Sequence, residues 1–303
     1  HPLKDEVHIT CHDLLFETNI EHKEIYVTKK DNLPIFFQTN DALGFDIFAA
    51  SFYLITRYEE YLPFVSDVYY RFEAKDSLAQ KYKFLDKPII ELWAAQLKDI
   101  INAKYNNFIN PKKKFQYQPT IDIDNAWAFK NKGLIRVVGN YLKDLFQLNL
   151  KDIVFRSQVL LNLKKDPFDN YEFIINIHQK YNLYPIFFIL CGRYGYNDKN
   201  INIDNQKYRK LIKHLSDYGK IGIHPSYNSN DNPYFLKKEI KNLSSIVNFN
   251  IVESRQHFLK LEFPQTYRNL INNNISSDYT MGYASEVGFR AGISRPFYFF
   301  DID

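Results

Sequence analysis

From Tyr117 onward the sequence alternates short runs of β-branched and aromatic residues with amphipathic stretches of about ten to fifteen residues. The short runs predict strands at Pro119 to Ile123, Tyr184 to Leu190, Lys220 to Ile223, Asn250 to Glu253 and Ser277 to Thr280. The stretches between them predict helices at Leu134 to Gln147, Asn170 to Tyr181, Gln206 to Tyr218, Tyr234 to Val247 and Pro264 to Asn272. This alternation predicts βα units and a mostly parallel sheet, either open or closed into a barrel.

The N-terminal part of the chain has a different pattern, in which two helical stretches stand among short β-like runs. Apolar residues near three- and four-residue spacing predict helices at Asp46 to Leu62 and Ile89 to Tyr105. Glu59 and Glu60 fall on the first of these helices, and carboxylates on an amphipathic helix usually face solvent. We therefore expect both glutamates to be exposed.

A polar segment separates the two patterns. Residues Asn106 to Lys114 contain Asn-Asn, Asn-Pro and a run of lysines, which are typical of a turn-rich boundary. A chain of 303 residues is long enough for about two domains. We predict a smaller α/β domain of unknown role at residues 1–114 and a larger α/β domain at residues 115–303.

Composition excludes several classes of protein. Hydrophobic residues make up 45% of the chain and aromatic residues 17%, which is ample material for globular cores. The net charge of +4 is spread along the chain without a long basic run, so no nucleic-acid partner is expected. The longest apolar run, Tyr184 to Cys191, is too short to cross a bilayer, so no membrane span is expected. No glycine-rich phosphate loop occurs, and no nucleotide cofactor is predicted.

The two ends of the sequence carry weaker signals. No basic-then-apolar signal pattern follows His1, which favours a cytoplasmic location, with export as the alternative if a signal segment precedes it in the gene product. The other end stops inside the apolar run Pro296 to Asp303, which predicts a buried strand. We therefore expect a truncation at the C-terminal end of the second domain.

Chemically capable side chains follow three of the predicted strands. Asp122 and Asp124 come at the end of the first strand, His224 at the end of the third, and Arg255 and His257 just after the fourth. The carboxyl ends of parallel strands share one rim, where active sites form. Each side chain also has an ordinary structural alternative, such as accepting backbone hydrogen bonds at a turn. Their coincidence at one rim favours a functional site.

This set of side chains suits a divalent transition metal. One carboxylate and two imidazoles can hold the ion and leave positions open for water and substrate. Such an ion lowers the pKa of a bound water from ~15.7 to about 7, and a spare carboxylate can accept the remaining proton. Arg255 could pair with Asp122 and orient it. The set therefore predicts hydrolysis of an amide or ester.

The ordered motifs resemble the polysaccharide deacetylase (NodB-homology, carbohydrate esterase) superfamily. They are Thr120-Ile-Asp122-Ile-Asp124, His224-Pro-Ser-Tyr-Asn and Ser254-Arg255-Gln-His257. The resemblance implies a distorted (β/α) barrel of NodB type, with Asp122 as catalytic base, Asp124 and His224 as metal ligands and Arg255 as support for the base. It also implies a zinc ion as the most fitting cofactor.

The sequence departs from the superfamily at three places. Ile123 separates the two acids, as in the branch whose motif reads Asp-x-Asp. Asn228 stands where a second histidine is usual, so we assign the third ligand position to His257. No histidine follows His257, although family members carry a late one that protonates the leaving group. Truncation or a different chemistry would account for its absence.

The wider chain resembles bacterial polysaccharide deacetylase-like proteins with an extra N-terminal region, through Phe45 to Tyr61 and Gly282 to Gly292. Candidate substrate-binding residues are Tyr227, Asn228, Asp278, Tyr279 and Arg290. The expected function is metal-dependent removal of acetyl groups from an N- or O-acetylated polysaccharide or its precursor. The alternatives are a carbohydrate-binding protein with a degenerate site and an amidase acting on a small cyclic amide.

Overall fold

The structure is a computed structural model that describes residues 6–106 and 114–303. Its contacts divide the chain into two units. The first unit comprises His1–Phe115, Phe258–Arg268 and Met281–Asp303, and the second comprises Gln116–His257 and Asn269–Thr280. Most of the predicted boundary segment, residues 107–113, lies outside the described residues.

The first unit combines a two-stranded hairpin with helices. Strands β1 (Thr28–Lys30) and β2 (Leu33–Ile35) pair antiparallel, and the turn residues Asp31 and Asn32 both have positive φ, as a tight hairpin turn requires. Its helices are α1 (Ile47–Ile55), α2 (Leu78–Lys81) and α3 (Ile89–Lys104). The prediction of a helix over Ile89 to Tyr105 is confirmed.

The helix predicted from Asp46 to Leu62 is shorter than expected. Asp46 caps α1, since its side chain accepts hydrogen bonds from the backbone N–H groups of Phe48 and Ala49. The helix ends because Arg57 adopts left-handed backbone angles, with φ at 58°, and a 3-10 turn, Tyr58–Glu60, follows. The left-handed residue turns the chain and redirects the side chains that follow it.

That redirection makes the predicted exposure of Glu59 and Glu60 wrong. Glu60 is only 4% exposed and accepts hydrogen bonds from the Nε atoms of Arg57 at 2.7 Å and Arg290 at 2.8 Å. Glu59 accepts from Nη2 of Arg57 at 2.7 Å. Burial raises the pKa of Glu60, but the two guanidinium groups outweigh it, so the pKa lies below its usual value. This buried ion-pair network belongs to the core of the first unit.

The second unit is a mixed α/β structure with a five-stranded parallel sheet. The strands β3 (Thr120–Ile123), β4 (Ile186–Leu190), β5 (Lys220–His224), β6 (Glu253–Ser254) and β7 (Ser277–Asp278) lie in that order. All four neighbouring pairs are parallel. Every residue of β4 is buried, as expected for a central strand covered on both faces. The prediction of five parallel strands is therefore confirmed, although β6 shares only Glu253 with its predicted range and β7 is shorter than expected.

Helices connect these strands. They are α4 (Leu134–Phe146), α5 (Leu150–Leu160), α6 (Tyr171–Lys180), α7 (Gln206–Ser216), α8 (Tyr227–Asn230), α9 (Pro233–Val247) and α10 (Gln265–Asn272). The five helices predicted in this part of the chain are confirmed within a few residues at their ends. α5 and the single turn α8 were not predicted. No helix among the described residues has the length and apolar character needed to cross a bilayer.

The buried strand expected over Pro296 to Asp303 is wrong. This segment forms no regular element, and Tyr298 is 96% exposed. Phe299 instead stacks on Tyr267 of the same unit, with ring centroids 4.6 Å apart. A run of aromatic residues forms a buried strand only when a neighbouring strand is available to pair with it, and here aromatic stacking takes the place of strand pairing.

Candidate metal centre

The first part of the centre is the end of β3. Side chains alternate between the two faces of a strand, so Thr120 and Asp122 share one face, and Asp124 follows two residues beyond Asp122. Asp122 lies in register with Phe188 of β4, which in turn lies in register with Gly222 of β5. The end of β3 thus places both acids beside the strands that supply the remaining groups.

Asp124, His224 and His257 come together at this rim. Their ligand atoms all lie within 4.8 Å of one another. Nε2 of His224 is 3.1 Å from Oδ1 of Asp124, and Nε2 of His257 is 3.9 Å from Oδ2 of the same carboxylate. Both imidazole side chains are at most 10% exposed, whereas the Asp124 side chain is 56% exposed. The cluster therefore has a buried imidazole side and an open carboxylate side.

The other ring nitrogen of each histidine is hydrogen-bonded away from the cluster. Nδ1 of His224 lies 2.6 Å from the backbone oxygen of Arg255, and Nδ1 of His257 lies 2.9 Å from Oδ1 of Asp198. Carbonyl and carboxylate oxygens accept hydrogen bonds, so both Nδ1 atoms are donors. In the neutral rings the lone pairs then lie on the Nε2 atoms, which face Asp124. This is the tautomer that a metal bound at Nε2 requires.

Asp198 is a member of the centre that the sequence analysis missed. It is only 1% exposed, and its Oδ1 atom also accepts from the backbone N–H of Tyr227 at 2.9 Å. It lies in the loop that follows β4, whereas the predicted site residues follow the first, third and fourth predicted strands. The rule that the carboxyl ends of parallel strands share one rim also applies to the loop after β4, and this rule could have pointed to Asp198.

Electrostatics favour an ionised Asp124. Partial burial raises the pKa of its carboxyl group, but when Nε2 of both imidazoles carries a proton, the hydrogen bond from His224 and the positive charges of His224 and His257 together outweigh burial. The net result is a pKa below the usual range. An ionised carboxylate beside two imidazole lone pairs is a suitable donor set for a cation.

Arg255 holds Asp122 at the same rim. Its Nη1 atom donates to Oδ1 of Asp122 at 3.1 Å, and its Nη2 atom donates to the hydroxyl of Thr120 at 2.8 Å. Its Nε atom donates to the backbone oxygen of Tyr279 at 3.1 Å. The guanidinium lies over the Phe188 ring, 5.0 Å from the centroid. Contacts with two residues of β3, with one residue of β4 and with the residue that follows β7 fix the guanidinium and hence the carboxylate that it holds.

Gly222 makes room for that Phe188 ring. A Cβ atom at this position would stand 2.5 Å from Cε1 of Phe188 and 3.0 Å from the backbone oxygen of Glu253. The first contact is sterically forbidden and the second is tight, so glycine is the residue that fits beneath the ring as it stands. The glycine in β5 therefore supports Arg255 indirectly.

The predicted substrate-binding residues fall into different settings. Tyr227 and Asn228 begin α8, with Asn228 exposed and Tyr227 half-buried. The carboxylate of Asp278 accepts from the hydroxyls of Ser254 and Thr280, both at 2.7 Å, and so ties β7 to β6. Tyr279 packs on Phe188, with ring centroids 5.4 Å apart. A role in substrate binding stays a prediction for these four residues.

Arg290 belongs to the first unit. It is 2% exposed, donates to Glu60 through Nε, and donates to the backbone oxygen of Gly282 through Nη1 at 3.0 Å. These contacts give it a structural role in the buried network, and its assignment to a substrate site stays a prediction.

Comparison with known proteins adds one match. A model described as a family of unknown function (DUF7033) matches residues 1–106. No curated protein and no solved structure matches the chain. The matched range ends before β3, so the candidate metal centre lies wholly outside it.

Proposed function

We propose that the second unit is a metal-dependent hydrolase of the polysaccharide deacetylase type, which removes acetyl groups from an N- or O-acetylated glycan or its precursor. The observation that carries this proposal is the cluster of Asp124, His224 and His257, in which both imidazoles are fixed with Nε2 facing the carboxylate. The first unit has no assigned part in this function.

The donor set fits a divalent ion. One carboxylate and two imidazoles are ligands that zinc accepts readily, and a three-ligand protein site leaves room for water and substrate. Hydrogen bonds from Nδ1 to a backbone carbonyl and to a buried carboxylate are the usual outer support of such histidines. Asp124, His224 and His257 would therefore hold the ion. When bound, it would lower the pKa of a water molecule and polarise the acyl carbonyl.

Asp122 is the general base in this proposal. It lies outside the ligand cluster, and Arg255 holds one of its oxygens, which leaves the second oxygen to accept the proton of the attacking water. The positive charge of Arg255 keeps the carboxylate oriented in the rim. Arg255 is thus a positioning residue that acts through Asp122.

The finer fold assignment belongs to the same proposal. We infer that the sheet is part of a distorted (β/α) barrel of NodB type. The strand order supports this, because the five strands follow one another in sequence order without a reversal and all run parallel. A singly wound order is what a (β/α) barrel requires, whereas a doubly wound sheet reverses direction at a switch point.

Elemental analysis and an acetate-release assay test the proposal together. After incubation with zinc and desalting, the wild-type chain should retain close to one ion per chain, and Asp124→Ala and His257→Ala should lose it. Asp122→Asn should retain zinc but release acetate from acetylated oligosaccharides about 10²–10⁴-fold more slowly. Asp204→Asn, an exposed acid in the second unit, serves as the matched control.

Arg255→Lys separates positioning from metal binding. Lysine keeps the charge but cannot donate to Asp122, Thr120 and Tyr279 together, so zinc content should be unchanged while kcat falls about tenfold or more.

Failure of the wild-type chain to bind zinc would overturn the hydrolase proposal. Zinc binding without acetate release would favour the degenerate glycan-binding protein, or the cyclic amidase if a cyclic amide is hydrolysed instead.

A further inference from the structure

Helix α4 packs through its polar face. Against α5, the carboxylate of Asp144 accepts from Nη2 of Arg156 at 2.6 Å, and the hydroxyls of Tyr141 and Ser157 are 2.8 Å apart. Asp144 and Arg156 are both buried. A helix of a globular protein normally buries its apolar side and leaves its polar side in water. This helix does the reverse.

The apolar side of α4 faces solvent as one continuous stripe. We call this surface the apolar stripe, and it consists of Leu134, Ile135, Val138, Leu142, Leu145 and Phe146. Their three- and four-residue spacing places them on one face of the helix. Ile135 is 90% exposed and Phe146 is 86% exposed. Isolated exposed apolar residues are ordinary, but a contiguous stripe marks a surface that binds something.

The stripe continues beyond α4. Leu148 in the connecting turn and Leu150 and Val154 on α5 are exposed large apolar residues, as is Leu161 at the end of α5. The two helices and their connection, residues 134–161, thus form a helical hairpin that shows apolar side chains along its length.

The hairpin and its flanks are also strongly basic. Residues 130–166 contain eight lysines and arginines against three aspartates, a net charge of +5, whereas the whole chain carries +4. The remainder of the chain is therefore close to neutral, at −1. Lys143 and Lys151 are exposed beside the apolar residues.

We propose that the α4–α5 hairpin docks the second unit on an anionic membrane surface. Apolar side chains together with lysine and arginine on one helical surface are what an interfacial helix presents to lipid headgroups and the acyl chains beneath them. Anionic headgroups attract the basic residues, at close range and in a salt-dependent way. A second copy of this chain is a poorer occupant, because two hairpins of the same net charge repel each other.

Helix length fixes the mode of contact. At about 1.5 Å per residue, the 13-residue helix α4 is about 20 Å long, shorter than the ~30 Å hydrocarbon core of a bilayer. The hairpin therefore lies in the plane of the interface. This proposal is independent of the metal centre and of the hydrolase function.

Vesicle co-sedimentation of the full chain tests the proposal. Vesicles of phosphatidylcholine and phosphatidylglycerol at 3:1 should sediment the wild-type chain, whereas pure phosphatidylcholine vesicles should sediment much less of it. The double variant Ile135→Ser/Phe146→Ser should partition at least about tenfold more weakly, since two large apolar side chains no longer enter the interface. Lys143→Glu/Lys151→Glu should reduce binding to the anionic vesicles selectively.

Matched variants make the result decisive. Val287→Ser/Tyr298→Ser removes two apolar side chains that are each 96% exposed and lie outside the hairpin, so vesicle binding should be unchanged. Circular dichroism of each variant should match the wild type, because all the changed residues are exposed. No sedimentation with anionic vesicles, or equal losses in the two apolar double variants, would overturn the proposal. A second result would also overturn it: light scattering shows that the wild-type chain is a dimer, Ile135→Ser/Phe146→Ser makes it monomeric, and neither chain binds vesicles. A second copy of the chain would then be the occupant of the apolar stripe.

Discussion

The Nδ1 atom of His257 lies 2.9 Å from the Oδ1 atom of Asp198, although the two residues are 59 positions apart in the chain. Asp198 is almost completely buried, and its second oxygen, Oδ2, has no hydrogen-bond partner. A buried carboxylate needs a compensating donor, and the imidazole N–H provides it. The pair therefore determines both the orientation and the tautomer of a candidate metal ligand.

This relationship predicts the behaviour of Asp198→Asn. The substitution keeps the size of the side chain but removes the negative charge that the Nδ1 atom of His257 faces. Zinc affinity should fall about 10–100-fold, the usual effect of losing an outer support of a metal-binding histidine. Competition with a chromogenic chelator measures the affinity, and Asp204→Asn should leave it unchanged. Equal affinities in Asp198→Asn and wild type would show that Asp198 does not support the centre.

Substitution of two glycines of the second unit by alanine should change the free energy of unfolding in opposite directions. Gly222→Ala forces a Cβ atom into the Phe188 ring and should lower the free energy of unfolding by about 1–3 kcal/mol. Gly139→Ala, on the exposed side of α4, places a Cβ atom where nothing lies within 4 Å. Because alanine has the higher helix propensity, this variant should raise the free energy of unfolding by about 1 kcal/mol. Urea denaturation of both variants measures these changes. A neutral Gly222→Ala would mean that Phe188 is free to move aside.

Much of the fold was predictable because its periodic signals are local. The five strands of the second unit and the helix α3 were recognisable from apolar spacing alone. α5 was missed because it buries Arg156 and exposes Leu150 and Val154, and so its sequence does not show the usual amphipathic pattern. The early end of α1 depends on the left-handed Arg57, which sequence does not reveal, since arginine has no preference for that conformation.

The candidate site was predictable to a similar extent. The positions of Asp122, Asp124, His224 and His257 at or just after predicted strands marked them as candidates, and the structure brings them to one rim. Residues at the ends of parallel strands converge whatever their separation in sequence. Asp198 comes from an irregular loop, where neither periodicity nor a spaced motif marks it. The strand-end rule points to this loop, but only the fold shows which of its residues contacts the histidine.

Asp166 should make the stability of the second unit depend on acid pH. It is 1% exposed and accepts backbone hydrogen bonds from Ala128, Phe129, Lys130 and Phe168. Burial raises its pKa, but these four donors outweigh burial, so the pKa in the folded chain is lowered. A lowered folded pKa gives stability that is present above the unfolded value of about 3.9 and is lost as the pH falls through the folded value.

The variant Asp166→Asn tests this dependence. Its amide has one acceptor oxygen for four N–H groups, so at pH 7 it should unfold more easily than wild type by about 1–3 kcal/mol. The difference should be constant down to about pH 5 and should narrow below about pH 4, where the carboxylate of the unfolded wild-type chain takes up a proton before that of the folded chain does. Urea denaturation at a series of pH values measures the difference in free energy of unfolding between the variant and the wild type, with Asp204→Asn as the control. A difference that stays constant down to pH 2 would contradict the lowered pKa.

Arg290 should matter to the stability of the first unit because its charge is buried with that of Glu60. Arg290→Gln leaves the guanidinium of Arg57 as the remaining cation for the two carboxylates of Glu59 and Glu60, so it should lower the free energy of unfolding by up to about 3–5 kcal/mol. Arg268 forms the matched surface pair, with its Nε atom 2.6 Å from Asp301, and solvent screens that pair, so Arg268→Gln should change stability far less. The double variant Arg290→Gln/Glu60→Gln should recover part of the loss, since the remaining charges of Arg57 and Glu59 then balance each other. Thermal unfolding of the three variants gives the comparison. Similar losses in Arg290→Gln and Arg268→Gln would contradict a structural role for the buried pair and return Arg290 to the candidates for ligand binding.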